Sequence, residues 1–66
     1  RVNCLCPGGV YEKQNKNFLK KITNLIPLRR MANRDEYKGA IQFLVSDASS
    51  YMHGATLIVD GGRTVW

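Results

Sequence analysis

The chain has 66 residues, and ten Lys and Arg against five Asp and Glu give it a formal net charge of +5. That length allows one small domain, and a chain of about 60 residues buries only about 60% of its unfolded surface. A large self-contained core is therefore excluded, and a fold of this size needs a disulfide, a metal or other protein to hold it.

The strand expected at residues 2–6 runs Val2-Asn3-Cys4-Leu5-Cys6, with Asn3 its only polar interruption. An apolar run without clean alternation suits a strand covered on both faces, as in a parallel sheet. Arg1 has no lead-in, so this strand is expected to be the torn edge of a larger sheet. Cys4 and Cys6 share a face, but their Cα atoms would lie roughly 6.5–7 Å apart, at the limit for a disulfide. His53 is the one histidine, too little to complete a metal site with them. The pair reads as two small buried apolar residues in a reducing compartment. Pro7-Gly8-Gly9-Val10 stops the strand, because Pro cannot donate to a ladder and Gly permits positive φ. Open α/β sheets bind ligands at such a carboxyl edge.

Residues 11–16 are polar and aperiodic, and read as a loop. Phe18, Leu19, Ile22, Leu25 and Ile26 then share one helical face over 17–26, opposite Lys16, Lys20, Lys21 and Asn24. Pro27 ends this helix. Eight cations fall between Lys13 and Lys38. They read as a solvated helix face and loop, and Phe18 suits a packing stripe better than a base-stacking platform, which argues against a nucleic-acid ligand.

After a connector at Leu28–Ala32, Asn33 and Glu36 are spaced as a capping box. Asp35 and Glu36 place negative charge in the first turn, where the helix dipole favours it. Tyr37, Ala40, Ile41, Leu44, Val45 and Ala48 continue one face of a helix expected at 34–47. Gly39 weakens it, and a close neighbour is one reason for a Gly there. A turn at Ser49–Gly54 leads to a second strand, Thr56–Val59, ended by Asp60-Gly61-Gly62. Strand, helix, helix, strand implies a right-handed crossover between two parallel neighbours. Two strands do not stand alone in water, so one face awaits other protein. No segment resembles a signal peptide or approaches the roughly 20 apolar residues that span a bilayer, and the chain reads as cytoplasmic.

The ordered set Arg1-Val2-Asn3, Pro7-Gly8-Gly9-Val10, Pro27-Leu28-x-Arg30-Met31, Phe43-Leu44-x-Ser46-Asp47-x-Ser49-Ser50-Tyr51, Gly54 and Val59-Asp60-Gly61-Gly62 resembles the C-terminal part of short-chain dehydrogenases/reductases. Each piece is weak alone; the order and spacing across nearly the whole chain are specific. The Pro-Gly-Gly-Val opening and Trp66 are most similar to members of bacterial surface-sugar or flagellin-modification pathways.

The resemblance implies an α/β fold in which residues 1–66 form the C-terminal βααβ part of a Rossmann-like doubly wound parallel sheet, within a single oxidoreductase domain. The first strand would be the sixth of seven, and Thr56–Val59 the seventh. It implies a parent enzyme that uses NAD or NADP on a carbonyl or alcohol substrate, such as a sugar derivative. Pro7, Gly8 and Val10 would meet the cofactor through backbone groups, and Tyr11, Lys13 and Gln14 would lie on the substrate loop. The segments 34–47 and 56–60 would face a homo-oligomer interface.

The family's glycine-rich dinucleotide motif, its catalytic Ser and its Tyr-x-x-x-Lys group are not among these residues. Tyr37-Lys38 has the wrong spacing for that group. Glu12 stands where a Thr often contacts the nicotinamide carboxamide. Hydride transfer needs a proton donor and a held cofactor, so no residue here is expected to be catalytic, no metal is expected, and the isolated chain is expected to be inactive. The alternative is a non-enzymatic module that oligomerises through its helix and last strand. Arg30 is expected to pair with Glu36, and His53 and Asp60 are expected to be structural.

Overall fold

The computed structural model describes all 66 residues. Strand β1 (Cys4–Pro7) and strand β2 (Thr56–Val59) form a two-stranded parallel sheet in the register Cys4↔Thr56 to Pro7↔Val59. Between them lie helix α1 (Lys16–Thr23) and helix α2 (Lys38–Val45), with a 3-10 turn at Arg34–Tyr37 before α2 and another at Asp47–Ser49 after it.

Strand β2 stands where its apolar run predicts, but β1 begins two residues later than expected and takes in Pro7. Cys4 donates to Ala55 O at 2.8 Å and Gly8 to Val59 O at 2.9 Å. In a parallel ladder alternate residues face the neighbour, so Leu5 and Pro7 face away from β2 and the absent Pro7 N–H costs that pairing nothing. Residues 1–3 are held instead by side chains and turns. Asn3 Nδ2 donates to Met52 O at 3.1 Å and Asn3 Oδ1 accepts from Ala55 N–H at 2.9 Å. His53 Nδ1 accepts from Val2 N–H at 3.2 Å, which makes His53 a turn residue that fixes the start of the strand. Arg1 Nη1 donates to Ser49 O at 2.7 Å.

Helix α1 ends at Thr23, three residues short of the expected 26. Its N-cap is Asn15, whose Oδ1 accepts from Asn17 N–H at 2.7 Å. Thr23 Oγ1 donates back to Leu19 O at 2.8 Å, an alternative bond that weakens helix continuation. Leu25 and Ile26 then bond three residues back, in tighter turns that swing Ile26 inward before Pro27. The second helix is also divided. Residues 34–37 are 3-10, the α-helix ends at Val45 rather than 47, and Ser46 is extended. Ser46 Oγ accepts from Ala48 N–H at 3.3 Å and so caps the next turn instead of continuing the helix.

Only Ile26, Tyr37 and Ser49 are buried, while Val2, Val45, Ile58 and Trp66 are each more than half exposed. The Cα radius of gyration is 13.8 Å, against about 11 Å for a compact domain of this length. The accessible surface is 5250 Å², against about 4,250 Å² expected for a folded monomer of this mass. The molecule is a slab 15 Å thin along its shortest axis, with apolar faces left uncovered.

Candidate functional site

The carboxyl ends of both strands meet at one point. A Cβ on Gly8 would stand 2.8 Å from Asp60 Cα, so only a residue without a side chain lets the two strand ends approach this closely. Past Gly8 the turn is clamped to the connector. Ala32 donates to Gly9 O at 2.9 Å and Tyr11 donates to Ala32 O at 2.8 Å, giving a parallel bridge between Val10 and Ala32. The Gly9 and Val10 amides donate to no other group of the chain. They are two fixed donors at the carboxyl edge of a parallel sheet, where backbone N–H groups suit a planar amide or an anion.

Behind the turn lies a cavity of about 110 Å³ lined by Gly8, Gly9, Ile26, Tyr37, Asp60 and the Arg30–Glu36 pair, among others. Arg30 Nη1 and Nη2 donate to Glu36 Oε1 and Oε2 at 2.5 and 2.9 Å. Glu36 Oε1 also accepts the Asn33 N–H at 2.9 Å. The guanidinium, and then the Asn33 amide, hold the Glu36 carboxyl down at about 2. The Tyr37 hydroxyl is buried without a hydrogen-bond partner.

Asp60 closes the other side. Its carboxylate accepts from Gly62 N–H and Thr64 N–H, each at 2.9 Å. The Thr64 side chain and the amides of residues 62–64 hold it below the usual carboxylate range. Gly61 and Gly62 have φ of 67° and 92°, and a Cβ on either would stand under 3 Å from Ile26 or Pro27. The segment after β2 is thus seated against the exit of α1. Asp60 is structural, as its place before two glycines suggests.

The three loop candidates have different surroundings. Tyr11 lines an open groove of about 300 Å³ with Leu19, Thr23 and Met31. Gln14 is turned back on the loop: its Nε2 donates to Val10 O at 2.9 Å and its Oε1 accepts Glu12 N–H at 2.8 Å. Lys13 takes a left-handed φ of 59°, stands exposed and has no ion-pair partner. Sequence reasoning gave no role to Arg29. It too is left-handed, with φ of 60°, and its guanidinium lies 5.0 Å from the Trp66 ring centroid. A non-Gly residue there costs roughly 1–2 kcal/mol. The only signal for it in sequence is an Arg at the second position past the Pro, where Gly would be free of strain.

Cys4 and Cys6 are both free thiols, with Sγ atoms 3.6 Å apart on one face of β1, but Cys4 is exposed and Cys6 half-buried rather than buried as expected, because nothing in this chain covers that face. The chain holds no group of three or more His, Cys, Asp or Glu arranged for a metal ion. No helix is long and apolar enough to cross a membrane.

A family model described as enoyl-(acyl carrier protein) reductase matches residues 1–64. An NADH-dependent L-xylulose reductase from Ambrosiozyma monospora is 43% identical over the whole chain, which spans 27% of that protein. A 2-dehydro-3-deoxy-D-gluconate 5-dehydrogenase from Pseudoalteromonas atlantica is 41% identical over 92% of the chain and 26% of that protein. Among solved structures, a short chain dehydrogenase from Leptospira borgpetersenii with bound NAD+ superimposes with a TM-score of 0.93 at 41% identity, covering 97% of this chain and 25% of that one. A gluconate 5-dehydrogenase from Burkholderia cenocepacia, in complex with NADP and tartrate, superimposes with a TM-score of 0.92 at 33% identity, covering all of this chain and 28% of that one. The chain spans about a quarter of the length of the relatives it matches.

Proposed function

Since the chain belongs to the short-chain dehydrogenase/reductase family, we propose that it is the C-terminal quarter of an NAD(P)-dependent oxidoreductase that interconverts a carbonyl and an alcohol on a sugar or polyol. The observation that carries this reading is the Pro7–Val10 turn. It sits at the carboxyl edge of two parallel strands with two undonated amides, in a chain that superimposes closely on a dehydrogenase with bound NAD+. The named activities of the relatives support a polyhydroxylated substrate. A surface-sugar derivative is the narrower form of the same reading.

In this reading β1 and β2 are the sixth and seventh strands of the sheet, and residues 1–66 belong to one domain. Pro7 and Gly8 shape the turn, and the Val10 N–H, with that of Gly9 beside it, would hold the cofactor through backbone hydrogen bonds. The bound nicotinamide supplies hydride acceptance and donation. The residues of this chain orient and enclose it. Gln14 holds the Val10 carbonyl and keeps the loop closed against the turn, Tyr11 presents its ring to the substrate groove, and Lys13 reaches the substrate from the loop rim. The proton donor lies outside this chain, so the isolated 66 residues turn nothing over. The exposed faces of α2 and β2 pack against another copy.

The test is an assay of the polypeptide that carries this chain, with NAD+ or NADP+ and a panel of pentitols, hexitols and aldonic acids. Cofactor reduction by at least one of them is expected, and reduction by none would overturn the reading. The isolated chain is expected to show no binding heat with NADH or NADPH; a micromolar affinity would contradict the division of labour. A non-enzymatic oligomerisation module is the second reading, favoured by the roughly 1,000 Å² of surface in excess of a folded monomer. Sedimentation separates them, because that module must assemble through α2 and β2 without any other segment.

A further inference from the structure

Helix α1 has no fully buried residue, and with only Leu19, Ile22 and Thr23 half-buried, packing holds it weakly. Its two ends must do the rest. At its start, Asn15 caps the first turn and Gln14 ties the preceding loop to Val10. At its exit the holding contacts come from the segment after β2. Leu28 N–H donates to Gly61 O at 3.2 Å, and Pro27 lies against Gly62. Arg29 reaches both ways: Nη1 donates to Asn24 O, at the C-cap of α1, at 3.3 Å, while the guanidinium carbon lies over the Trp66 ring. Arg29 holds this left-handed backbone at a cost that its two side-chain contacts offset.

We propose that Arg29 and Trp66 form a latch that fixes the exit of α1 and so positions the helix over the substrate groove; the substrate part of this rests on the oxidoreductase reading above. Arg29 and Trp66 are positioning residues. Neither lines the groove at Tyr11, Leu19 and Thr23, and both act through α1. The attraction is electrostatic, between a cation and the ring face, so charge and aromaticity matter separately from bulk.

Hydrogen exchange read by mass spectrometry, on the polypeptide that carries the chain, tests the latch without any activity. In Arg29→Met and in Trp66→Leu, amides of Lys16–Thr23 are expected to exchange about two- to five-fold faster, with those of α2 unchanged. Arg29→Lys and Trp66→Phe are expected to keep most of the protection, because each retains its half of the cation–ring pair. The double variant Arg29→Met/Trp66→Leu is expected to exchange no faster than either single one. Unchanged exchange in Arg29→Met overturns the latch, as does equal loss in Arg29→Lys and Arg29→Met. In the kinetic arm, Arg29→Met is expected to raise the substrate KM about two- to five-fold while kcat and the cofactor KM hold. Faster α1 exchange with an unchanged substrate KM removes the positioning role. A wild-type protein that reduces neither cofactor removes the oxidoreductase reading alone, and the exchange arm still decides the latch.

Discussion

Arg30 and Glu36 face each other fork to fork, and the same carboxylate takes the Asn33 amide. Through one side chain the connector after Pro27, the turn before α2 and the wall of the carboxyl-edge cavity share a single anchor. The expected capping box joins Asn33 and Glu36, and its Glu36 arm is the carboxylate on the Asn33 N–H. The Glu36 N–H also donates to the Asn33 carbonyl at 3.0 Å, which makes the first turn 3-10.

The Glu36 carboxyl sits at about 2, below its ordinary 4.5. A depressed acid contributes stability that is fully present above its unfolded value and is lost as pH falls through the folded one. Stability is therefore expected to fall between about pH 4.5 and pH 2. Both groups are well exposed, so the size of the loss is modest. Denaturant midpoints measured across that range check it, and Glu36→Gln should flatten the slope. An unchanged slope in that variant would assign the acid sensitivity to other carboxyls, Asp60 first.

How far the sequence foretells this anchor depends on range. Strand β2, the Arg30–Glu36 pair and the structural roles of His53 and Asp60 follow from local chemistry: an apolar run, a six-residue spacing, a turn and a pair of glycines. Helix ends follow less well, because Thr23 and Ser46 each bond back to a carbonyl, and that competition shows only once the turns exist. The candidate turn residues come together as their order suggests, but the inward folding of Gln14 does not show in a polar loop. The Arg29–Trp66 contact joins residues 37 positions apart, with no periodicity to announce it.

Two glycines should respond oppositely to a methyl group. Gly8→Ala places a Cβ 2.8 Å from the Asp60 backbone, where nothing flexible can yield. A loss of about 1–3 kcal/mol is expected, with the strand ends forced apart. Gly39→Ala meets nothing within 4 Å in this chain, so no close neighbour here explains that Gly. A gain of about 0.5–1 kcal/mol is expected from helix propensity. Chemical denaturation ranks the pair. If Gly39→Ala stabilises the chain yet weakens self-association in sedimentation, the open space at Gly39 belongs to a second copy.

The Cys6 thiol should respond to the removal of its neighbour. The hydrogen bond with Cys4, then partial burial, then the Cys4 charge push the Cys6 thiol up. In Cys4→Ala the pH profile of Cys6 alkylation is expected to move to lower pH, read by mass spectrometry of iodoacetamide-treated protein. An unmoved profile would mean that the two sulfurs, 3.6 Å apart, do not interact.

Asp60→Ala should release the segment after β2. The Gly62 and Thr64 amides lose their acceptor, and their hydrogen exchange is expected to rise while β2 itself stays protected. Equal exchange at residues 62–64 in both proteins would show that Gly61 and Gly62 hold that segment by shape alone.

The pairing Cys4↔Thr56 also sets a timetable for synthesis. The first strand leaves the ribosome before β2 exists, and its β2-facing edge waits for that partner until some fifty further residues have been added. At roughly 5–20 residues per second that interval is about 3–10 s. Throughout it, the edge of β1 that β2 later covers, next to the free thiols of Cys4 and Cys6, lacks that cover. For a strand edge paired across such a span, the interval before β2 arrives is where misassociation has its opportunity.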